Sequence, residues 1–225
     1  MTIRPAPDVA PPGIVRYVVL YGSWAHGTQT PTSDEDWRGV YQAPNDHFLG
    51  LNPPDRTWEQ KPDITIWELA HFCRLLLGGN PNIIGLLSAP DDCIATISPV
   101  VTILRAARGL FVSRSMAAAY TGWMVRELRD LADPRRADLP KRLSHLPRLM
   151  WELEGAIDAG EVPVRAADWK RDYIMDVKLG RRGYDEVALL LNERLPSLEA
   201  RGAVLPEPPR AFVEQVLLDA RHADG

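Results

Sequence analysis

Two cysteines among 225 residues are too few for a disulfide framework, and Cys73 and Cys93 lack the CxxC spacing of a metal site. Cys73 lies in an apolar helical pattern and reads as a buried, reduced thiol. No apolar run reaches the roughly 18 residues a spanning helix needs. The opening MTIRPAPDVAPPG has no apolar stretch of the signal-peptide kind. The expectation is a soluble cytoplasmic protein with no membrane contact. Lysine is scarce too, at positions 61, 141, 170 and 178 only, and 26 basic residues face 30 acidic ones for a net charge of −4. This excludes a protein that coats nucleic acid by charge alone, yet leaves room for an enzyme that grips one nucleotide or one RNA end. Internal repeats and low-complexity tracts are absent.

What is present divides in two. A proline-rich lead-in over the first dozen residues precedes IVRYVVLYGS (14–23), whose β-branched and aromatic composition predicts a strand. SWAHGT follows as a turn or short helix, TPTSD carries turn chemistry, and EDWRGVYQAP returns to strand composition. Residues 44–62 read as loop. PDITIWEL opens as a strand with Asp63, Thr65 and Trp67 on one face and Ile64 and Ile66 on the other. It leads into the helix WELAHFCRLLLGG, which ends at Gly78-Gly79. From about residue 99 the apolar spacing is helical, predicting helices over 98–111, 113–132, 140–157, 165–179, 184–200 and 209–223. A mixed α/β half thus precedes an all-helical half, with the boundary near residues 90–99.

The chemistry concentrates in YGSWAHGTQTPTSDEDWRGVY (21–41). Glycine lets a backbone approach a ligand closely, and the hydroxyl of Ser23 adds a donor for a phosphate oxygen. If residues 34–40 are extended, Asp34 and Asp36 point to one face with Cα atoms about 6.5–7 Å apart. Two carboxylates so placed repel each other unless they are solvated or neutralised by a cation. Mg²⁺ takes oxygen ligands of this kind. Taken alone, the aspartates read first as an acidic turn, and Asp63 as a solvated residue at a strand start.

The order of apolar strand, Gly22-Ser23, Ser33-Asp34-Glu35-Asp36 on a second strand and a later strand aspartate resembles the nucleotidyltransferases of the DNA polymerase beta superfamily. More narrowly, GSWAHGTQTPTSDEDWRGVY followed by PDITIWELAHFCRLLLGGNPNIIGLL is similar to nucleotidyltransferases inferred in bacterial and phage RNA-repair gene neighbourhoods. Those carry a GSxAxGxxTxxSDxDxRGV block and a helix ending in NPN. The resemblance is specific over residues 18–90 and looser to about 195. It implies an α+β fold, a small mixed-sheet nucleotidyltransferase core (1–95) followed by an all-helical domain (96–225). It also implies transfer of a nucleoside monophosphate from a nucleoside triphosphate to an acceptor hydroxyl, with pyrophosphate leaving. Gly22 and Ser23 would hold the triphosphate, and Asp34, Asp36 and Asp63 would ligate two Mg²⁺ ions, with Mn²⁺ as a substitute. Asp63 would also help deprotonate the acceptor. The family context points to an RNA end as acceptor, acting alongside RNA-repair partner enzymes. A protein or small-molecule hydroxyl is the alternative acceptor, and a non-catalytic nucleotide-binding module the alternative class.

Other residues join with two readings each. Arg38, two past Asp36 on the same strand face, would meet a phosphate or pair with an aspartate. Lys141, His145 and Arg148 fall at i, i+4, i+7 of a helix, a basic stripe that reads as a solvated face or as one facing the triphosphate, with Pro147 inside it able to kink the helix. His26 reads as an exposed loop histidine, with an approach to the triphosphate as its alternative. Trp24 and Trp37 offer stacking surfaces, but Trp37 should face away from the aspartates into the core. Ser113 reads as an N-cap, Asn80 and Asn82 as turn and cap residues, and Lys178 as a cation suited to a helix end.

Overall fold

The computed structural model describes residues 7–133 and 138–223; the first six residues of the expected lead-in lie outside them. Five strands form one sheet: β1 (Ile14–Leu20), β2 (Trp37–Gln42), β3 (Thr57–Gln60), β4 (Ile64–Glu68) and β5 (Ile94–Ile97). Their order across the sheet is β3-β4-β2-β1-β5. The β2–β4 pairing is parallel, with Arg38 opposite Thr65 and Val40 opposite Trp67; β1–β2, β1–β5 and β3–β4 are antiparallel. The fold is α+β with a helical C-terminal region, as expected. β3 emerges from the stretch read as loop, and β5 from the expected domain boundary. Both are four residues long, too short for a period-2 pattern to announce them.

Side-chain alternation covers both faces of the sheet. Tyr17, Val19 and Val40 pack into the main core under the helices. Val18, Leu20, Trp37, Tyr41, Ile64 and Ile66 form a second cluster on the opposite face. Trp37 therefore points away from the aspartates, and Ile64 and Ile66 away from Thr65 and Trp67, both as the alternation predicts.

Helices α1 (Gly22–His26), α2 (Leu69–Leu77), α3 (Pro81–Leu87), α4 (Pro99–Ala106), α5 (Arg114–Asp130), α6 (Leu139–Leu143), α7 (His145–Ala159), α8 (Asp168–Lys178), α9 (Tyr184–Gly202) and α10 (Arg210–His222) complete the described chain. In α2, Leu69, Phe72, Cys73 and Leu76 are buried at i, i+3, i+4, i+7, worth about 1.5–3 kcal/mol for each large apolar side chain. Burial pushes the Cys73 thiol up to about 12, so it stays protonated. Asn80 caps α3 through Oδ1, accepting from the backbone of Asn82 and Ile83; Ser113 Oγ caps α5, accepting from Met116 N at 3.3 Å. The helix expected over 140–157 is two helices, α6 and α7, broken at Ser144. Pro147 has no N–H for the carbonyl of Leu143, so a continuous helix would forfeit that bond. Restarting at His145 puts Pro147 in a first turn, where no intrahelical donor is required.

The core does not stop at residue 95. β5 spans that position, and one buried cluster runs from Tyr17 through Leu104, Leu153 and Leu198 to Val216. The chain end returns to the sheet: Gln42 Nε2 donates to Ala220 O at 3.2 Å and Asn45 Nδ2 to Arg221 O at 3.0 Å. Glu68 joins the two ends. Its Oε2 caps α2, accepting from Ala70 N at 2.7 Å and His71 N at 3.3 Å, and its Oε1 accepts from Arg221 Nη2 at 2.7 Å. Both side chains are largely buried. Glu68→Ala leaves a shielded guanidinium without its counter-charge, bonded only to Ala43 O and Asn45 Oδ1, and a helix uncapped, so it should cost about 3–5 kcal/mol. Equilibrium urea unfolding checks this, and a loss under about 1 kcal/mol would show that α10 is not anchored here.

Candidate active site

Strand β1 delivers the chain to the sheet edge at Tyr21, whose N–H donates to the Asp36 carbonyl at 2.8 Å. The next residue, Gly22, has φ +55°, and a Cβ there would overlap the Asp36 carboxylate. Only glycine satisfies both constraints cheaply. Gly22-Ser23 and Asp36 are therefore packed against each other. They line a cleft of about 720 Å³ between the sheet and the helical region, shared with Asp34, Arg38, Lys141, His145 and Arg148. Of the nine residues expected to hold the triphosphate or the metal, eight meet in this one cleft.

The ninth, Asp63, does not. It is exposed in the turn before β4, and its backbone does the work: its carbonyl accepts from Trp37 N at 2.9 Å and from Arg38 Nη1 at 3.0 Å. Thr65 and Trp67, further along the same strand face, line the cleft instead. Among the described residues, no group of three or more His, Cys, Asp or Glu side chains stands close enough to hold a metal ion. Asp63, one residue before β4, thus stands outside the lining that Asp34 and Asp36 share. Two carboxylates remain. Asp34 is exposed on the cleft wall, its carbonyl accepting from Trp24 Nε1 at 3.1 Å. Asp36 Oδ1 pairs with Arg38 Nη2 at 3.2 Å, both side chains partly exposed. Two oxygen-donor carboxylates open to water suit a hard divalent cation that keeps waters and takes phosphate oxygens as its other ligands.

The helical side of the cleft is basic: Lys141 is exposed, and His145, Arg148 and Lys178 are part-buried. Although α6 and α7 are separate helices, Lys141, His145 and Arg148 still reach the same cleft. Burial, then Arg148, Lys141 and Lys178, push His145 down to about 3; it is a neutral member of the stripe. Asn80 and Asn82, read as turn and cap residues, line the cleft, as do Lys178 and His26. Lys178, read as a helix-end cation, lines the cleft and donates to Thr28 O at 2.8 Å; burial and then Lys141 lower its pKa. Its spacing of four from the buried Ile174 was the available signal. His26 is not an exposed loop histidine: it is 5% exposed, enclosed by Arg148, Glu152 and Val164. Its position four residues after Gly22 hinted at a shared role, but nothing local placed α7 over it. Trp67 and Trp123, rather than Trp37, are the tryptophans in the cleft.

Two predictions follow from this geometry. Gly22→Ala must leave the left-handed region or displace Asp36, at about 1–2 kcal/mol, read as a lowered thermal midpoint. His145 and His26 are neutral in the folded protein, with pKa values below the ordinary 6.5, so the unfolded chain binds more protons at acid pH. Stability is then full above pH about 6.5 and falls as the pH drops from there toward 3. Urea midpoints should fall between pH 7 and pH 5, and fall less in His145→Gln; equal slopes for both proteins would show that His145 does not contribute.

No curated protein and no solved structure matches this chain. A family model described as RNA repair pathway DNA polymerase beta family matches residues 11–220, which spans the sheet, the cleft and almost all of the helical region. The chain belongs to the RNA repair pathway DNA polymerase beta family.

Proposed function

We propose that this protein is a metal-dependent nucleotidyltransferase that moves a nucleoside monophosphate from a nucleoside triphosphate to a hydroxyl at an RNA end. The observation that carries this reading is the packing of Gly22 against Asp36. It puts a phosphate-approach turn and a metal-type carboxylate at one point of a cleft whose helical side is cationic. Family membership supports the polymerase-beta type of chemistry and the RNA-repair context.

Residues of this chain divide the work. Ser23 supplies a hydroxyl donor to the triphosphate, while Arg148, Lys141 and Lys178 offset its charge. Asp34 and Asp36 would hold Mg²⁺, one ion or two, with Mn²⁺ as a substitute. When bound, the metal supplies charge neutralisation at the transferring phosphoryl group. Arg38 restrains Asp36 through the ion pair and is itself fixed by the carbonyls of Trp37 and Asp63. The acceptor hydroxyl gives up its proton to solvent, its oxygen bonds to the α-phosphorus as the bond to the β-phosphate oxygen breaks, and pyrophosphate leaves. Such a reaction demands positioning and charge neutralisation above all. A net charge of −4 favours contact with the acceptor's end over a long nucleic-acid footprint.

The test is incubation with Mg²⁺ and each nucleoside triphosphate labelled at the α-phosphate, against RNA, DNA and the protein itself. Label should appear on RNA, vanish with a chelator, and drop about 10³-fold in Asp36→Ala with the circular dichroism spectrum unchanged. An undiminished rate in Asp36→Ala sinks the assignment, and label on protein alone replaces the acceptor.

A further inference from the structure

A buried polar cluster lies directly behind the cleft wall. Arg148 Nη1 donates to Glu152 Oε1 at 2.8 Å and to His26 Nε2 at 3.1 Å. Arg148 and Glu152 side chains are 12% and 2% exposed. The carbonyl of Val164 lies 3.0 Å from His26 Nδ1 and can only accept, so Nδ1 carries the proton. Nε2 is then a lone-pair acceptor, the state a neighbouring guanidinium requires. Glu152 Oε1, which pairs with Arg148, also lies 3.3 Å from Nδ1.

The donor count gives this cluster a direction. Both N–H bonds of Arg148 Nη1 are consumed, one by His26 and one by Glu152. The donors on Nη2 and Nε have no partner among the described residues, and neither atom is among the enclosed unpartnered ones. Arg148 lines the cleft. One nitrogen is therefore tied down, while the other N–H groups of the planar fork keep free donors on a side chain that lines the cleft, a donor set that can match a phosphate through paired N–H bonds. For stability alone the arrangement is poor value, since a buried ion pair is commonly outdone by apolar side chains of similar volume.

We propose that His26 and Glu152 are positioning residues that hold the Arg148 guanidinium in register with the Gly22-Ser23 turn, as a fixed receptor for the triphosphate. His26 is the link, because it ends the same helix α1 that Gly22 begins. α1 has no side-chain cap, and its exit is held by the helical region residue by residue: His26 by Arg148, the Gly27 carbonyl by Arg171 Nε at 2.6 Å, and the Thr28 carbonyl by Lys178 Nζ at 2.8 Å. Glu152 balances the charge that burial of Arg148 would otherwise leave uncompensated. A rigid fork engages a phosphate without first losing side-chain freedom. The inference rests on the proposed reading for the identity of the ligand, and on the cluster for everything else.

Inorganic tripolyphosphate with Mg²⁺, titrated calorimetrically, probes the receptor without a base or an acceptor. The wild-type protein should bind it, and Arg148→Ala and His26→Ala should each weaken binding by about tenfold. His26→Gln, which offers an oxygen to Arg148 in place of Nε2, should recover most of the loss. A purely structural role would lower the melting temperature of the histidine variants without separating alanine from glutamine in affinity. Nitrogen NMR of the wild-type imidazoles supplies a readout that needs no variant to fold: His26 should be protonated at Nδ1 and bare at Nε2 at neutral pH. Unchanged tripolyphosphate affinity in folded His26→Ala overturns the proposal, as does the opposite tautomer or a wild-type protein that does not bind the probe. If these losses appear but no acceptor receives a nucleotide, the positioning stands and the transferase reading fails. Transfer that persists with affinity indifferent to His26 gives the reverse.

Discussion

The contact between Gly22 and the Asp36 carboxylate constrains everything around it. A left-handed residue at the end of β1 and a carboxylate at the start of β2 occupy space that a single added methyl would claim. The antiparallel register of β1 and β2, with Leu20 opposite Trp37, brings the two together. The same register turns Trp37 into the core behind and leaves Asp36 and Arg38 toward the cleft. A slip of one residue would exchange those faces, burying charge and exposing tryptophan. The second cluster of Val18, Leu20, Trp37 and Ile66 therefore guards the register of the site as much as it stabilises the sheet.

The helical region completes that site rather than sitting beside it. Its cations reach back to three consecutive residues of the turn after β1, at His26, Gly27 and Thr28. Its last helix reaches back further, to Glu68 on the far side of the sheet. Each of these bonds would be modest on its own in water. Together with the apolar core that crosses residue 95, they make the position of the turn after β1 depend on the packing of α7 and α8. The cleft is an interface within one body, which is where ligand sites commonly form.

Much of this was legible in the chain. The apolar strand with Gly22-Ser23, the aspartate pair, the alternation in ITIW and the cap residues Asn80 and Ser113 are local patterns, and local patterns report which face a side chain takes. Less legible were properties set by distant partners. Asp63 lies one residue before β4, and its carbonyl accepts from Trp37 and Arg38, a pairing that no side-chain pattern encodes. β3 and β5 carry few residues and gain their stability from neighbours already in the sheet.

The sequence by itself determined the family of chemistry: which residues are carboxylates, where the backbone can approach a phosphate, and which helix faces are apolar. These follow from side-chain type and from periods of two or 3.6 residues, both of which a linear chain displays. Only the tertiary structure decided that His26 is buried and neutral, that Lys178 enters the cleft, and that Arg148 is held by His26 and Glu152. His26 meets Val164 across 138 residues and Lys178 meets Thr28 across 150. Such contacts depend on how packed helices converge, and no local spacing carries that information.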